Sequence, residues 1–235
     1  MPYEVILADI DNTLLDFTAG SRTALEKTLQ WLEEPFTEER FQTYFSINAQ
    51  LWEQYERGEI EKKDIYPTRF RLFSERFGIH TDAAAMNARY GDELRANVYL
   101  MPHCMEFLRA VHGKYKVYAI TNGDTRTQQV RQKNSGIDAY IDRSFISEQM
   151  GCKKPDKRYF DLVFEAIGPV DKAKCILLGD SLTSDMQGGR NAGVTTCLLG
   201  QPTDDPRCDY VIRDLMDLLP ILAQGKEHGP WDNGK

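Results

Sequence analysis

Four short apolar runs, each followed at once by a glycine or by polar residues, constrain the fold of this chain most strongly. They are VILA at 5–8, KVYAI at 116–120, CILL at 175–178 and TTCLL at 195–199. Such runs are typical of strands that are buried on both faces of a sheet. The predicted helices of the second half span 102–111, 125–134, 157–167 and 185–192. Because strands and helices alternate, we predict an α/β fold with a Rossmann-like, doubly wound parallel sheet.

The segment from about residue 18 to residue 98 has a different pattern. It contains no run of this kind, and its apolar residues recur at helical spacing, as at Phe41, Tyr44 and Phe45. Thr37, followed by two glutamates, is typical of a helix start, and Gly78 is typical of a helix end. We therefore predict an insert of three or four helices, placed directly after the first strand.

The insert divides the chain into two predicted domains. Residues 1–17 and 99–224 would form the discontinuous α/β core, and residues 18–98 the helical domain. The 235 residues are enough for a core domain that carries a smaller insert. Residues 225–235 are polar and glycine-rich, so we predict a flexible tail.

Charge and composition exclude several classes of protein. The formal net charge of −7 provides no overall cationic field that would hold a nucleic-acid polymer or an anionic membrane surface. Five cysteines without a CxxC pair argue against a disulfide framework and against a zinc ribbon. No run approaches the roughly 20 apolar residues of a membrane span, and the N-terminus lacks the features of a signal peptide. We predict a cytoplasmic protein whose oligomeric state stays open.

Asp9 and Asp11 come directly after the first apolar run, within the pentapeptide DIDNT. Two carboxylates separated by one residue around a turn can perform different tasks at one site: one can bind a metal and attack, and the other can move protons. An Asx turn or a helix cap would explain the same residues without any chemistry. The pentapeptide alone leaves both interpretations open.

Polar residues also follow the other predicted strands. Thr121 and Asn122 offer a hydroxyl and an amide to phosphate oxygens, and Lys154, held before a proline, can aim its ammonium inward. Asp180 and Asp185 add carboxylate oxygens, which magnesium prefers. Each residue alone also fits a turn, a surface lysine or a helix start. Because the carboxyl ends of parallel strands line one crevice, however, we expect these groups to converge.

The segments DIDNT, ITNG, KKPD and GDSLTSD, in this order and spacing, resemble the four motifs of the haloacid dehalogenase (HAD) superfamily of phosphatases. The resemblance implies that Asp9 is the nucleophile and that Asp11 is the general acid, which later activates water. The phosphate-binding residues that it implies are Thr121, Asn122 and Lys154. Lys153 is a rival for the lysine role, although the family pattern places the functional lysine immediately before proline.

The resemblance also implies a magnesium cofactor. Asp9, the main-chain carbonyl of Asp11 and Asp180 would hold the ion, with Asp185 acting directly or through water. Asp11 further separates a phosphatase from a dehalogenase, because a halide leaving group needs no proton. We therefore expect a phosphatase that works through an aspartyl phosphate.

Within the superfamily, the opening DIDNTLLDF with KPD and GDSLTSD is most similar to the bacterial pyrimidine 5′-nucleotidase branch. This similarity implies a nucleoside monophosphate as the small-molecule substrate. The helical insert resembles the type 1 cap of the family, which closes over the active site. Cap aromatics that could stack on a base are Phe45, Trp52, Tyr55 and Phe73, although aromatics at helical spacing also form a cap's own core.

Other functions are compatible with parts of this pattern. A phosphatase of another metabolite such as a sugar phosphate, or a sugar phosphomutase, would share the core. A receiver domain also uses an aspartyl phosphate, magnesium, a threonine and a lysine, but it would need its phosphoacceptor near Ile120, and it would not explain the insert. A catalytically silent scaffold would not need the complete set of acidic, hydroxyl and lysine groups.

Overall fold

The structure, a computed structural model, describes residues 3–224. The chain separates into two compact units. The α/β unit combines the residues up to Asp16 with those from Leu100 onward, and the helical unit comprises Phe17–Tyr99. The helical unit thus begins and ends within one residue of the predicted insert. The predicted flexible tail at 225–235 lies outside the described residues.

Six parallel strands form one sheet in the described part of the α/β unit. Their bounds are β1 Val5–Ala8, β2 Lys116–Thr121, β3 Arg143–Ile146, β4 Cys175–Gly179, β5 Thr195–Leu199 and β6 Tyr210–Ile212. The strand order β3-β2-β1-β4-β5-β6 is that of the Rossmann sheet, which confirms the predicted fold class. In the central register, Leu7 of β1 lies opposite Tyr118 of β2 and Leu177 of β4.

This strand order has a consequence for function. Strands β2 and β3 lie on one side of β1, and β4, β5 and β6 lie on the other side. In such open sheets, ligands bind beyond the carboxyl ends of the strands at the point where the winding reverses. A ligand-binding site is therefore expected at the carboxyl ends of β1 and β4.

Four helices form the helical unit, as far as the structure describes it. They are α1 Phe17–Trp31, α2 Glu38–Glu56, α3 Lys62–Phe77 and α4 Ala83–Ala96. Thr37 caps α2 by accepting a hydrogen bond from the Arg40 amide at 3.2 Å, and Gly78 ends α3 with a left-handed φ of 66°. Both predicted signals are confirmed. The core of this unit is largely aromatic, with Tyr44 and Phe70 ring centroids 5.1 Å apart.

The helices of the α/β unit cover the sheet. They are α5 Cys104–Val111, α6 Thr125–Ser135, α7 Ser147–Met150, α8 Lys157–Ile167, α9 Gln187–Ala192 and α10 Leu218–Gln224. A short π-helical turn, Leu182–Met186, leads into α9. Close packing of α9 depends on glycine, because a Cβ at Gly189 would lie 2.4 Å from the Thr196 methyl group. Within residues 3–224, no helix is both long enough and apolar enough to cross a bilayer.

Candidate active site

Three aspartates meet at the carboxyl ends of β1 and β4. Asp9 directly follows β1, and its amide donates to the Leu178 carbonyl of β4 at 2.9 Å. Asp180 directly follows β4, and Asp185 lies on the π-helical turn behind it. Carboxylate oxygens of these three aspartates lie within 4.8 Å of one another. The structure therefore brings three of the four predicted acidic residues into one cluster, at the point where the sheet reverses its winding.

Asp185 reaches this cluster because Gly179 leaves space for it. A Cβ at Gly179 would lie 2.3 Å from the Asp185 carboxyl group, so any other residue would displace that side chain. The Asp185 carboxylate also accepts a hydrogen bond from the Ser181 amide at 3.1 Å. The sequence Gly-Asp-Ser thus builds a turn that folds Asp185 back onto the end of β4.

Lys154 lies between two of these carboxylates and is almost fully buried, with 1% of its surface exposed. Its Nζ donates to Asp9 Oδ1 at 2.5 Å, to Asp185 Oδ1 at 2.7 Å and to the Ile120 carbonyl at 3.2 Å. Burial alone would lower the pKa of Lys154, but the neighbouring Asp185 and Asp9 carboxylates raise it above its ordinary value. Lys154 is therefore a fixed cation at the centre of the cluster.

The cluster is nonetheless more negative than one lysine can neutralise. Burial, together with the charges of Asp185, Asp180 and Asp11, raises the pKa of Asp9 well above its ordinary value, although Lys154 acts against this. Burial and the Asp185 charge raise the pKa of Asp180 to about 7. Three carboxylates with converging oxygens are a donor set that suits a hard divalent cation such as magnesium. The residues present therefore fit the predicted cofactor.

The Asn122 side chain holds the loop that carries Lys154. Its Nδ2 donates to the Lys154 carbonyl at 2.9 Å, and its Oδ1 accepts from the Lys154 amide at 2.9 Å. Both ends of the amide are thus used to hold the main chain of Lys154, because the end of β2 lies beside the loop that carries this lysine. The Asn122 side chain therefore positions Lys154, and phosphate binding by Asn122 stays a prediction.

Thr121 is the last residue of β2 and is buried, with 2% of its surface exposed. Its hydroxyl oxygen accepts a hydrogen bond from the Gly123 amide at 3.0 Å. A hydroxyl that accepts one hydrogen bond still has its own proton to donate. The geometry therefore leaves Thr121 able to donate to a phosphate oxygen.

Asp11 makes a separate set of contacts. Its Oδ1 accepts from Arg131 Nη1 at 2.5 Å, and its Oδ2 accepts from Gln128 Nε2 at 2.6 Å. Both donors belong to α6, and each has only 1% of its surface exposed. Sequence reasoning missed this pair. The one available signal was a pair of polar residues, spaced i and i+3, on the helix that follows the Thr-Asn-Gly turn.

The four predicted base-stacking aromatics differ in their surroundings within the helical unit. Phe73 is fully buried and packs against Tyr44 and Phe77, so neither face is open to a base, and the prediction for Phe73 is wrong. Phe45 is partly buried against the hydrophobic core of the unit. Trp52 and Tyr55 are partly exposed and form an edge-to-face pair, with ring centroids 5.7 Å apart.

The fold and the acidic cluster agree with the comparison to known families. Residues 3–193 match the family of haloacid dehalogenase-like hydrolases. The chain therefore belongs to this family and is a hydrolase, which confirms the resemblance of its four motifs.

Individual relatives narrow the comparison further. PynA of Streptococcus pneumoniae, a pyrimidine 5′-nucleotidase, is 35% identical over 233 residues, which cover 93% of this chain and 96% of that protein. YjjG of Escherichia coli, also a pyrimidine 5′-nucleotidase, is 34% identical over 199 residues, covering 85% and 87%. A magnesium-bound crystal structure of the HAD-hydrolase YfnB of Bacillus subtilis is similar with a TM-score of 0.89 at 31% identity, covering 94% of this chain and 99% of that one.

Proposed function

We propose that this protein is a magnesium-dependent phosphatase that hydrolyses pyrimidine nucleoside 5′-monophosphates through an aspartyl phosphate on Asp9. The observation that carries the proposal is the buried cluster in which Lys154 joins Asp9 to Asp185, with Asp180 beside them. Such a cluster does not stabilise the fold by itself, because removing charges from water often costs more free energy than the buried ion pairs gain. It is well suited to a dianionic substrate and a cation.

The first half of the proposed reaction transfers the phosphoryl group to the protein. A carboxylate oxygen of Asp9 attacks phosphorus, and the bond from phosphorus to the nucleoside oxygen breaks. Asp11 donates a proton to that oxygen, so the nucleoside leaves as a neutral alcohol. Lys154 and the Thr121 hydroxyl offset the charge on the phosphoryl oxygens.

The second half regenerates the protein. Asp11, now a carboxylate, takes a proton from a water molecule, whose oxygen attacks phosphorus and breaks its bond to Asp9. Inorganic phosphate leaves, and Asp9 is again a free carboxylate. A magnesium ion held by Asp9, Asp180, Asp185 and the Asp11 main-chain carbonyl would neutralise charge on the phosphoryl oxygens when bound.

The choice of substrate is supported by two relatives, PynA and YjjG, that are named pyrimidine 5′-nucleotidases. The helical unit offers the partly exposed rings of Trp52 and Tyr55 as candidates for stacking on a base. A nucleoside monophosphate is a metabolite of the cytoplasm, which agrees with the location predicted from the sequence.

The test is phosphate release from pyrimidine and purine nucleoside monophosphates, sugar phosphates and p-nitrophenyl phosphate, with magnesium and with EDTA. We expect release that is fastest on pyrimidine monophosphates, lost in EDTA and restored by added magnesium. Preferential hydrolysis of a sugar phosphate would retain the mechanism and overturn the nucleotide assignment. Conversion of a sugar phosphate to an isomer without free phosphate would indicate a phosphomutase instead.

A further inference from the structure

We propose that Gln128 and Arg131 are positioning residues that hold the Asp11 carboxylate in the orientation needed for proton transfer. The inference rests on the proposed function, in which Asp11 exchanges a proton with the leaving group and then with water. Neither residue belongs to any of the four motifs. Both contribute to the reaction through Asp11 and need not touch the substrate.

The geometry of the contact fixes the plane of the carboxylate. Arg131 Nη1 lies 2.5 Å from Asp11 Oδ1, and Gln128 Nε2 lies 2.6 Å from Oδ2. Because each oxygen has its own donor, the carboxylate group cannot rotate without breaking both hydrogen bonds. A carboxylate oxygen has two lone pairs, so each oxygen still has one with which to accept a proton. The pair therefore restrains Asp11 without blocking its chemistry.

The composition of α6 indicates that this contact is not a by-product of helix packing. The buried residues of α6 are Gln128, Arg131 and Gln132, all of them polar. A helix that covers a sheet ordinarily buries an apolar face, as α8 does with its own buried residues Tyr159, Phe160 and Val163. Burying a guanidinium costs free energy unless it is paired. The sequence of α6 thus gives up apolar packing in order to place donors at Asp11.

The turn before α6 is built to admit this contact. A Cβ at Gly123 would lie 2.3 Å from Gln128 Nε2, so a larger residue would push the amide away from Asp11. Asp124 caps the helix by accepting from the Thr127 amide at 2.7 Å, which fixes where α6 begins. Gly123 and Asp124 together set the position from which Gln128 and Arg131 reach Asp11.

The test uses Arg131→Met, with Gln128→Met as a milder second variant that removes only a neutral hydrogen bond. Leaving-group release is measured in the first turnover with two substrates. One is the alkyl phosphate that the wild-type protein hydrolyses fastest, and the other is p-nitrophenyl phosphate. Loss of orientation should slow alkyl phosphates about 10- to 100-fold. It should slow p-nitrophenyl phosphate less than about 3-fold, because nitrophenolate leaves without a proton.

Two comparisons separate positioning from a structural role. Gln132→Met is the matched control, because Gln132 is also buried on α6 but contacts Ser144, with a hydrogen bond of 2.6 Å from the serine hydroxyl. It should leave the ratio of the two rates unchanged. In an Asp11→Asn background, Arg131→Met should have no further effect on that ratio, because the group that it positions has already lost its proton-transfer function.

The outcomes are distinguishable. Equal losses on both substrates, additive effects of Asp11→Asn and Arg131→Met, or the same change of ratio in Gln132→Met would each overturn the positioning role while leaving the proposed function intact. If Arg131→Met does not fold, an unchanged ratio in a folded Gln128→Met would overturn it as well. A wild-type protein that releases no phosphate from any monoester would instead overturn the proposed function, and this inference with it.

Discussion

Both units bury basic side chains, and Lys154 of the α/β unit differs from Arg69 of the helical unit in the kind of partner that holds it. In the α/β unit, Lys154 contacts the carboxylates of Asp9 and Asp185. In the helical unit, Arg69 has 6% of its surface exposed and donates to amide oxygens, at 3.0 Å from Asn48 and at 2.7 and 3.2 Å from Asn87. One cation is thus held by charge, and the other by neutral groups.

The difference teaches that burial of a charge does not by itself indicate chemistry. Asn48, Arg69 and Asn87 lie on α2, α3 and α4, so the guanidinium ties three helices together and also lies 4.8 Å from the Tyr90 ring. This arrangement explains itself as packing. The carboxylates around Lys154 repel one another, and we infer that the proposed cation and substrate offset this repulsion.

The largest effect is expected from Asp9→Asn. The amide is nearly isosteric with the carboxylate but is not a nucleophile, so turnover should fall by at least about 10⁴-fold. The midpoint of urea unfolding should change little, because the substitution also removes one of several repelling charges. Both quantities are measured on the same purified protein. Asp161→Asn on the exposed face of α8 is the matched control and should keep full activity.

Substantial residual turnover in Asp9→Asn would contradict the covalent mechanism. A large loss of stability would contradict a different point, namely that the acidic cluster exists for chemistry at the expense of folding. The two readouts therefore test the two halves of the comparison separately.

Lys154→Met should have the largest effect on stability. It leaves the carboxylates of Asp9 and Asp185 buried without their cation, and breaking a buried ion pair in this way costs about 3–5 kcal/mol. The free energy of unfolding is measured in urea with EDTA, so that no metal ion replaces the lysine. Adding Asp185→Asn to the variant should recover part of the loss. A loss below about 1 kcal/mol, the range of surface ion pairs, would show that the cluster is solvated and not buried.

The fold could be predicted from the sequence wherever the pattern was strong. The four apolar runs became β1, β2, β4 and β5, since a strand buried on both faces leaves a continuous apolar run. Strands β3 and β6 were not predicted. The first opens with Arg143 and Ser144, and the second has three residues, so neither shows such a run. They are the two edge strands of the sheet, paired with β2 and β5.

The convergence of the acidic residues and Lys154 could be predicted from their places along the chain. Asp9 and Asp180 directly follow strands, Asp185 lies on the turn after β4, and Lys154 lies in the loop before α8. The partners of individual atoms could not be predicted. Asp11 meets Gln128 and Arg131 across 117 and 120 positions of sequence, and polar residues on a helix ordinarily indicate a solvent-exposed face. Asn122 shows the same limit, because its sequence position gives the functional group but not the main chain that it binds.

The smallest of these effects is expected from Arg69→Met, which sharpens the comparison from the other side. The substitution leaves the amide oxygens of Asn48 and Asn87 without their donor but strands no charge, so the loss should be about 1–3 kcal/mol. This is less than for Lys154→Met. The same urea titration measures both. Arg71→Met, at an exposed position of α3 where the arginine pairs with Glu75, is the control and should change stability by less than about 1 kcal/mol.

Enzyme activity tests whether Arg69 has only a packing role. If the guanidinium only joins three helices, the folded Arg69→Met protein should keep its kcat and KM on p-nitrophenyl phosphate and on nucleoside monophosphates alike. A rise in KM confined to nucleotides, with stability unchanged, would contradict the packing explanation and make Arg69 a contact for the nucleoside. The charge of the groups around a buried cation would then not indicate function in this protein, because a cation held only by amides and rings would contribute to substrate specificity.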